Sequence, residues 1–591
     1  MILLRKEEFH VLNSLYNQSV GRSPVFSDVY LNAALERSEV LERLVSAGYV
    51  DGQFRMITPA GVAALEPYRV EHAVIMAAGP STRCIPLSLE LPKGLFNVKG
   101  QHLIDREIEQ LQEAGVTDIT VVLGYKKEML RYLGEKYGVR LIENPDFLTK
   151  NNIHSLLLAR EWLRNSYVCA CDDYFAENPF NRYEYQSFYA GIHADAPTNE
   201  MYVFPDEDGR IVKMQKNLSK GFVALGHAYW QTDFAEAFLR CVDRTPDAVN
   251  NPDYYWEWVV KDHIDDLPPF FFKRYAANAI VEFDYFDDLR RFDSGYVKHT
   301  HSAIVGNIIS VFHCTESEIH SFRKISEGLT NTSFIFRYRD QDYIYRHPGE
   351  GTSLLVNRAH EKQSLELAKA WGIDPTYIYM DVEQGWKISR FVSEFREPDY
   401  GSMEDSEKIA AMLRRLHSLP ITVDYGLRPW EDAAEIEAAL ERKEPGCFAP
   451  FLPLKAQIAQ LLARTKGDGV QPCFCHGDTY KPNWMLKPDG SVILIDWEYA
   501  GFSDPGIDVG YYIVDASYDF PEAERFLTCY LGADADASLR FHYMAYVAIT
   551  AYYWFVWAMY REQCGASMPE ARENWKQMAV RYAARLLSDR S

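Results

Sequence analysis

Apolar positions recur along the 591-residue chain in three rhythms. Over roughly the first 70 residues they fall at helical spacing. Glu7–Tyr16 reads as one helix, and Ser27–Ala47 as another through Val29, Leu31, Ala34, Leu35, Val40, Leu41, Leu44 and Val45. Gly48 to Gly52 ends that helix, and Phe54 to Thr58 predicts a short strand. From residue 71 the rhythm changes: short apolar runs alternate with amphipathic stretches. Strands are predicted within Glu71–Gly79 and at Asp118–Leu123 and Val139–Glu143, with helices at Leu103–Ala114 and Lys126–Tyr137. Such βαβα alternation predicts a doubly wound, mostly parallel sheet. Beyond His301, alternating strands (Ser333–Tyr338, Tyr343–Arg346) precede a helix at Val356–Trp371 and a helix-rich remainder. The expected organisation is a multidomain chain of α/β and α+β parts. Its segments are 1–70, 71–298 and 305–591, joined near His299-Thr300-His301.

Composition narrows this little but usefully. Apolar and charged fractions of 47% and 25% are those of an ordinary water-soluble protein. No apolar run reaches the ~20 residues of a membrane helix, and acidic Glu7 and Glu8 stand where a signal peptide has its apolar core. A cytoplasmic location without membrane insertion is the expectation. The pairs Cys169/Cys171 and Cys473/Cys475 lie in strand-like runs and read as reduced core residues rather than zinc ligands. A net charge of −22 argues against nucleic acid as the main partner.

Two stretches carry chemistry. His476-Gly477-Asp478-Thr479-Tyr480-Lys481-Pro482-Asn483, followed by Ile495-Asp496-Trp497-Glu498, reads as a phosphotransferase catalytic loop and its metal strand. Asp478 would take the proton of an attacking hydroxyl, while Asn483 and Asp496 would hold Mg²⁺ against nucleotide phosphates. The second stretch is Ala77-Ala78-Gly79-Pro80-Ser81-Thr82-Arg83 with Lys93 ten residues on. Small residues let backbone N–H groups approach a triphosphate, and Arg83 and Lys93 supply the cations. Asp172 and Asp173 end an apolar strand downstream. Aromatic residues beside acids occur twice: Tyr255-Trp256-Glu257, and Trp497-Glu498 with Trp554, Trp557 and Tyr560. Each cluster could simply pack a helix, or could hold a quaternary ammonium group by cation–π attraction.

The Gly79 loop with Lys93 resembles the nucleotide-diphospho-sugar pyrophosphorylase-like superfamily, with Ser81 where that family prefers Gly. With Asn151-Asn152-Ile153-His154-Ser155-Leu156 and the Tyr255 cluster, residues 71 to 295 resemble bacterial CTP:phosphocholine cytidylyltransferases. The resemblance implies metal binding by Asp172 and Asp284 and an acceptor near Asp173, Tyr255, Trp256 and Glu257. Residues 305 to 591 resemble choline/ethanolamine kinases. There Ser326 to Asn331 stands for the nucleotide loop, giving Gly328, Thr330 and Asn331, with Glu327 where a glycine is usual. Arg346 takes the place of the phosphate-binding lysine, with Glu361 as its partner, and Trp497, Glu498, Trp554, Trp557 and Tyr560 form a choline box. Leu41 to Gly61 resembles a winged helix. With seven Lys/Arg against eight Asp/Glu in residues 1–70, a structural, dimerising or regulatory role is favoured over DNA binding. The resemblances imply an enzyme that phosphorylates choline with ATP and then uses CTP and Mg²⁺ to make CDP-choline. Ethanolamine, another amino alcohol or a sugar is the alternative substrate. A DNA-binding metabolite sensor with degenerate catalytic domains is the alternative from another class.

Overall fold

In a computed structural model of the chain, the described residues are 3–22, 38–53, 55–296, 301–325, 332–348, 357–565 and 567–588. They form two compact units, Met1–Lys324 and Ile325–Ser591. The first is built on a nine-stranded sheet. Its central order is Ile211–Gln215, Met201–Pro205, Gly221–Trp230, Ser166–Ala170, His72–Ala77, Ile119–Leu123, Arg140–Glu143. His72–Ala77 runs parallel to both its neighbours, while Gly221–Trp230 pairs antiparallel. All five residues of Ile119–Leu123 are buried, as expected of a strand covered on both faces. Helix Leu103–Glu113 presents Ile104, Ile108 and Leu111 to one face of the sheet. Helix Thr232–Arg244 covers the other with Phe234, Phe238 and Val242.

The N-terminal module keeps two of its expected helices, Lys6–Ser19 and Ser38–Ser46; residues 23–37 and Phe54 lie outside the described set. Where a β-wing is expected, the described residues hold one bridge, Val50 to Ile57. Phe9 packs against Tyr68 and Tyr185, and the Arg22 guanidinium donates to the Phe180 carbonyl, so the module is part of the first unit. Residues 305–324, read from sequence as the start of the C-terminal segment, also pack on the first unit. Glu90 accepts the amides of Ala303 and Ile304, which open helix Ala303–Phe312, and Arg290 donates to the Ile319 carbonyl at 2.7 Å.

The second unit has a small antiparallel sheet in the order Thr332–Tyr338, Gln341–His347, Lys387–Arg390, Tyr377–Met380. A large helical part follows. Its centre is helix Ala537–Gln563, whose side chains are buried continuously from His542 to Ala558.

Candidate active sites

At the end of strand His72–Ala77 the chain leaves the sheet and lines a cleft of about 380 Å³. Ala78, Gly79, Ser81, Thr82, Arg83, Lys93, Asn151, Asn152, Asp172, Tyr255 and Asp284 all face it, so residues 200 positions apart meet in one place. Ala77 does not: it is a buried strand residue opposite Leu123. Ser81 has φ +50°, the left-handed region that glycine enters without strain. That explains why a glycine suits the position, and Ser81 holds the same turn at a cost of about 1–2 kcal/mol.

Charges in the cleft are tightly paired. The buried Lys93 ammonium lies 2.5 Å from Asp172, 3.8 Å from Glu282 and 3.9 Å from Asp284. Burial favours its neutral amine, but Asp172 and Glu282 outweigh this and raise its pKa. Arg83 grips Asp284 through both terminal nitrogens, at 2.7 and 3.0 Å. Asp284 also borders a second cavity of about 810 Å³ lined by Glu200, Glu282, Asp288, Asn217 and Tyr285. Oxygens of Glu200, Glu282 and Asp284 all lie within 4.8 Å of one another. Burial, then repulsion from Asp284, pushes Glu200 up to about 7. Carboxylate oxygens of Asp172 and Asp284 both lie within 4 Å of the Lys93 ammonium, and hard oxygen donors of this kind are the ligands Mg²⁺ takes.

The acceptor cluster differs from expectation. Tyr255 faces the cleft, but Trp256 is core, packed on Tyr189 and Trp230. Glu257 does not line the cleft; its carboxylate accepts the Tyr189 hydroxyl at 3.2 Å and the amide of Asn152, which does. Asp173 is 4% exposed at the start of strand Asp173–Phe175 and does not line the cleft. The Lys216 ammonium lies 5.9 Å from the Tyr255 ring and 5.7 Å from that of Trp258. Glu200, Glu282 and Lys216 were not singled out from sequence; isolated charges between strands carry no local motif.

In the second unit, Asp508 organises the catalytic loop. Its carboxylate accepts the amides of His476 at 2.8 Å and Gly477 at 2.7 Å, and its carbonyl accepts the Thr479 hydroxyl. Gly477 has φ +83°, and a Cβ there would stand 2.5 Å from the Tyr499 carbonyl, so only glycine fits. His476 donates Nε2–H to the Ile495 carbonyl and accepts the Asp478 amide at Nδ1. The Asn483 amide nitrogen donates to the Asp478 carbonyl at 2.9 Å and to its carboxylate at 3.1 Å. Both bonds use Nδ2, which leaves the amide oxygen as the atom a metal would take. Burial, with repulsion from Glu498 and Asp496, raises Asp478 well above the usual carboxylate range, as suits a proton acceptor.

Arg346 pairs with Glu361, with Asp496 at 3.0 Å and with Glu498 at 3.6 Å. Lys387, opposite Arg346 on the neighbouring strand, reaches both Glu361 and Asp496 at 3.2 Å. Sequence reasoning missed Lys387, because antiparallel pairing rather than proximity in the chain creates the contact. Burial alone would raise Asp496, yet Lys387 and Arg346 hold it at about 2. Gly328, Thr330 and Asn331 lie outside the described residues.

Beside Glu498 is a pocket of about 390 Å³ walled by Tyr425, Tyr499, Tyr553, Trp557 and Tyr560, with Asp432 and Glu435 at its edge. Tyr553, Trp557 and Tyr560 are four and three residues apart and share one helix face. Two expected members are corrected. Trp497 is fully buried, stacked on Phe474 with its Nε1–H on the Leu494 carbonyl, and forms the floor beneath the loop. Trp554 points one step away and stacks on Tyr511.

Comparison with known proteins agrees with this division. The MobA-like NTP transferase domain family matches residues 73–240, and the Phosphotransferase enzyme family matches residues 321–542. A choline-phosphate cytidylyltransferase of Streptococcus pneumoniae is 34% identical over 221 residues, covering 37% of this chain and 96% of that protein. A 2-aminoethylphosphonate cytidylyltransferase of Lancefieldella rimae is also 34% identical, over 38% of this chain and 93% of its own length. The crystal structure of choline kinase LicA from Streptococcus pneumoniae is similar at 27% identity, covering 48% of this chain and 98% of that one, with a TM-score of 0.42.

Proposed function

The chain belongs to the choline-phosphate cytidylyltransferase family, and from that premise we propose that it is a bifunctional enzyme activating choline in two steps. ATP phosphorylates the choline hydroxyl in the second unit. The first unit then transfers CMP from CTP to phosphocholine, giving CDP-choline and pyrophosphate. The observation that carries the reading is the aromatic and acidic pocket beside Glu498, next to the loop that holds Asp478. A quaternary ammonium is a cation without N–H donors, so ring faces and carboxylates are what can hold it. Asp478 then takes the hydroxyl proton, while Arg346 and Lys387 meet nucleotide phosphates.

In the first unit, Arg83 and Lys93, which line the cleft, would hold the triphosphate of CTP and its departing pyrophosphate. Mg²⁺ in both sites is part of the proposal: Asp172 and Asp284 would hold it in one, Asn483 and Asp496 in the other. When bound, it supplies charge neutralisation at the phosphates. The location proposed is the cytoplasm, where ATP and CTP occur; among the described residues no helix is long and apolar enough to cross a membrane. For residues 1–70 the winged-helix reading is kept as a structural, dimerising or regulatory module, with homodimerisation as one form of that role.

One observation favours a second reading for acceptor choice. The cavity beyond Asp284 has four carboxylates but only Tyr285 as an aromatic wall, which suits a primary ammonium and hence ethanolamine. The test is mass spectrometry of products from the purified chain with ATP, CTP, Mg²⁺ and choline in competition with ethanolamine. CDP-choline as the main product is expected. Absence of both phosphocholine and CDP-choline from the mixture would refute the kinase assignment, and a predominance of CDP-ethanolamine would favour the second reading.

A further inference from the structure

Strand Cys473–Cys475 leads directly into the catalytic loop, and its two cysteines are free thiols with sulfurs 3.8 Å apart. The fold brings His417, at the end of helix Met403–His417, to them: a ring nitrogen and both sulfurs lie within 4.8 Å of one another. Three features of this cluster match a bound ion. Two thiolates on a tetrahedral zinc, with Zn–S of about 2.3 Å, stand about 3.8 Å apart, which is the spacing already present. The imidazole is held in place from both sides, by Asp508 at 3.0 Å and the Tyr530 hydroxyl at 2.7 Å. A carboxylate on one ring nitrogen is the usual orienting partner of a metal-binding histidine. Finally, Cys475 is buried while Cys473 is half-buried, which gives an entry path on one side.

We propose that Cys473, Cys475 and His417 form a binding site for a thiophilic divalent cation such as Zn²⁺ at the back of the phosphotransferase loop. Binding releases both thiol protons to solvent as two metal–sulfur bonds and one metal–nitrogen bond form. His417 exchanges one of its two hydrogen bonds for the ion and keeps the other. Asp508, its partner, is also the carboxylate that holds the amides of His476 and Gly477. Occupancy therefore bears on the loop that presents Asp478 and leaves the nucleotidyl-transfer cleft alone. The binding part stands whatever the substrate; the effect on rate rests on the kinase reading above.

The test is equilibrium dialysis of the full chain against Zn²⁺ in excess Mg²⁺, beside the double variant C473S/C475S. The wild type should hold one more zinc per chain than the variant. With Co²⁺, a thiolate-to-metal absorption band should appear in the wild type alone. Zinc should slow choline phosphorylation several-fold in the wild type but not in the variant, with CMP transfer to added phosphocholine responding alike in both. Equal zinc content in the two proteins, or no thiolate band, overturns the site. Site-specific binding with phosphorylation unchanged overturns the coupling through Asp508.

Discussion

On the proposed two-step reading, the two units would meet related cationic groups with different walls. The phosphotransferase pocket is walled by Tyr425, Tyr499, Tyr553, Trp557 and Tyr560. The nucleotidyl-transfer unit offers Tyr255 on one side, its ring face shared with Lys216, and carboxylates with Tyr285 on the other. The difference follows from what each substrate brings. Free choline has no handle except its positive head and one hydroxyl, so ring faces must supply most of the attraction. Phosphocholine carries a dianionic phosphate that a metal and the cations Arg83 and Lys93 can hold, so its head needs fewer contacts. Aromatic investment tracks the poverty of the ligand.

Disabling one unit should leave the other at work. Asp478→Ala should lower phosphorylation by about 10²–10⁴-fold while CMP transfer to added phosphocholine persists. Lys93→Met should do the reverse, by about 10²–10³-fold. Loss of both activities from either single change, in protein whose circular dichroism is unaltered, would show that the sites are not separate. Next in size, Trp557→Ala should raise the KM for choline about ten- to thirtyfold, from the ~1.4–2 kcal/mol of a desolvated cation–π contact. Tyr255→Ala should change the KM for phosphocholine less. A larger effect at Tyr255 would reverse the contrast drawn above.

A pH series sharpens it further. Burial, then Asp496, pushes Glu498 up to about 8, with Arg346 opposing. Its carboxylate form grows as pH rises through that value, so choline should bind the nucleotide-free, metal-free protein up to about tenfold more tightly at pH 9 than at pH 7. Calorimetry on Glu498→Gln should give a flat profile; a slope surviving in that variant would assign the titration elsewhere. The smallest effect is expected at Ser81. Replacing it with Gly relieves the left-handed backbone but adds freedom to the unfolded chain, so the shift in unfolding free energy should stay within about 1 kcal/mol.

What could be read from the sequence was whatever chemistry is written locally. The Gly79 loop and the Asp478–Asn483 spacing are short stretches whose geometry is set within a few residues, and Asp172 and Asp284 each follow a strand, one in the large sheet and one in a separate two-stranded pair, that brings them to Lys93. Choosing among tryptophans was harder. Trp256, Trp497 and Trp554 are as aromatic as Trp557, but helix Ala537–Gln563 is buried on all sides, so its periodicity could not tell the pocket face from the core face. Lys387 and His417 escaped notice for another reason. Each reaches its partners only through tertiary structure, Lys387 by strand register and His417 across 56 residues of chain to Cys473. The ends of the units followed contacts rather than composition, as Glu90 shows by capping the helix at Ala303.

Asp284 stands between two cavities, and that has a stereochemical reading. Were CTP to occupy the loop-lined cleft and the acceptor to enter from the carboxylate-lined cavity, the two would meet at Asp284, which borders both. Attack from the side facing away from the departing pyrophosphate turns the phosphorus inside out. A chiral α-thio analogue of CTP should therefore yield product of inverted configuration. Retention would mean that the chain itself carries the nucleotide for an instant, and that the wall between the cavities is a waypoint.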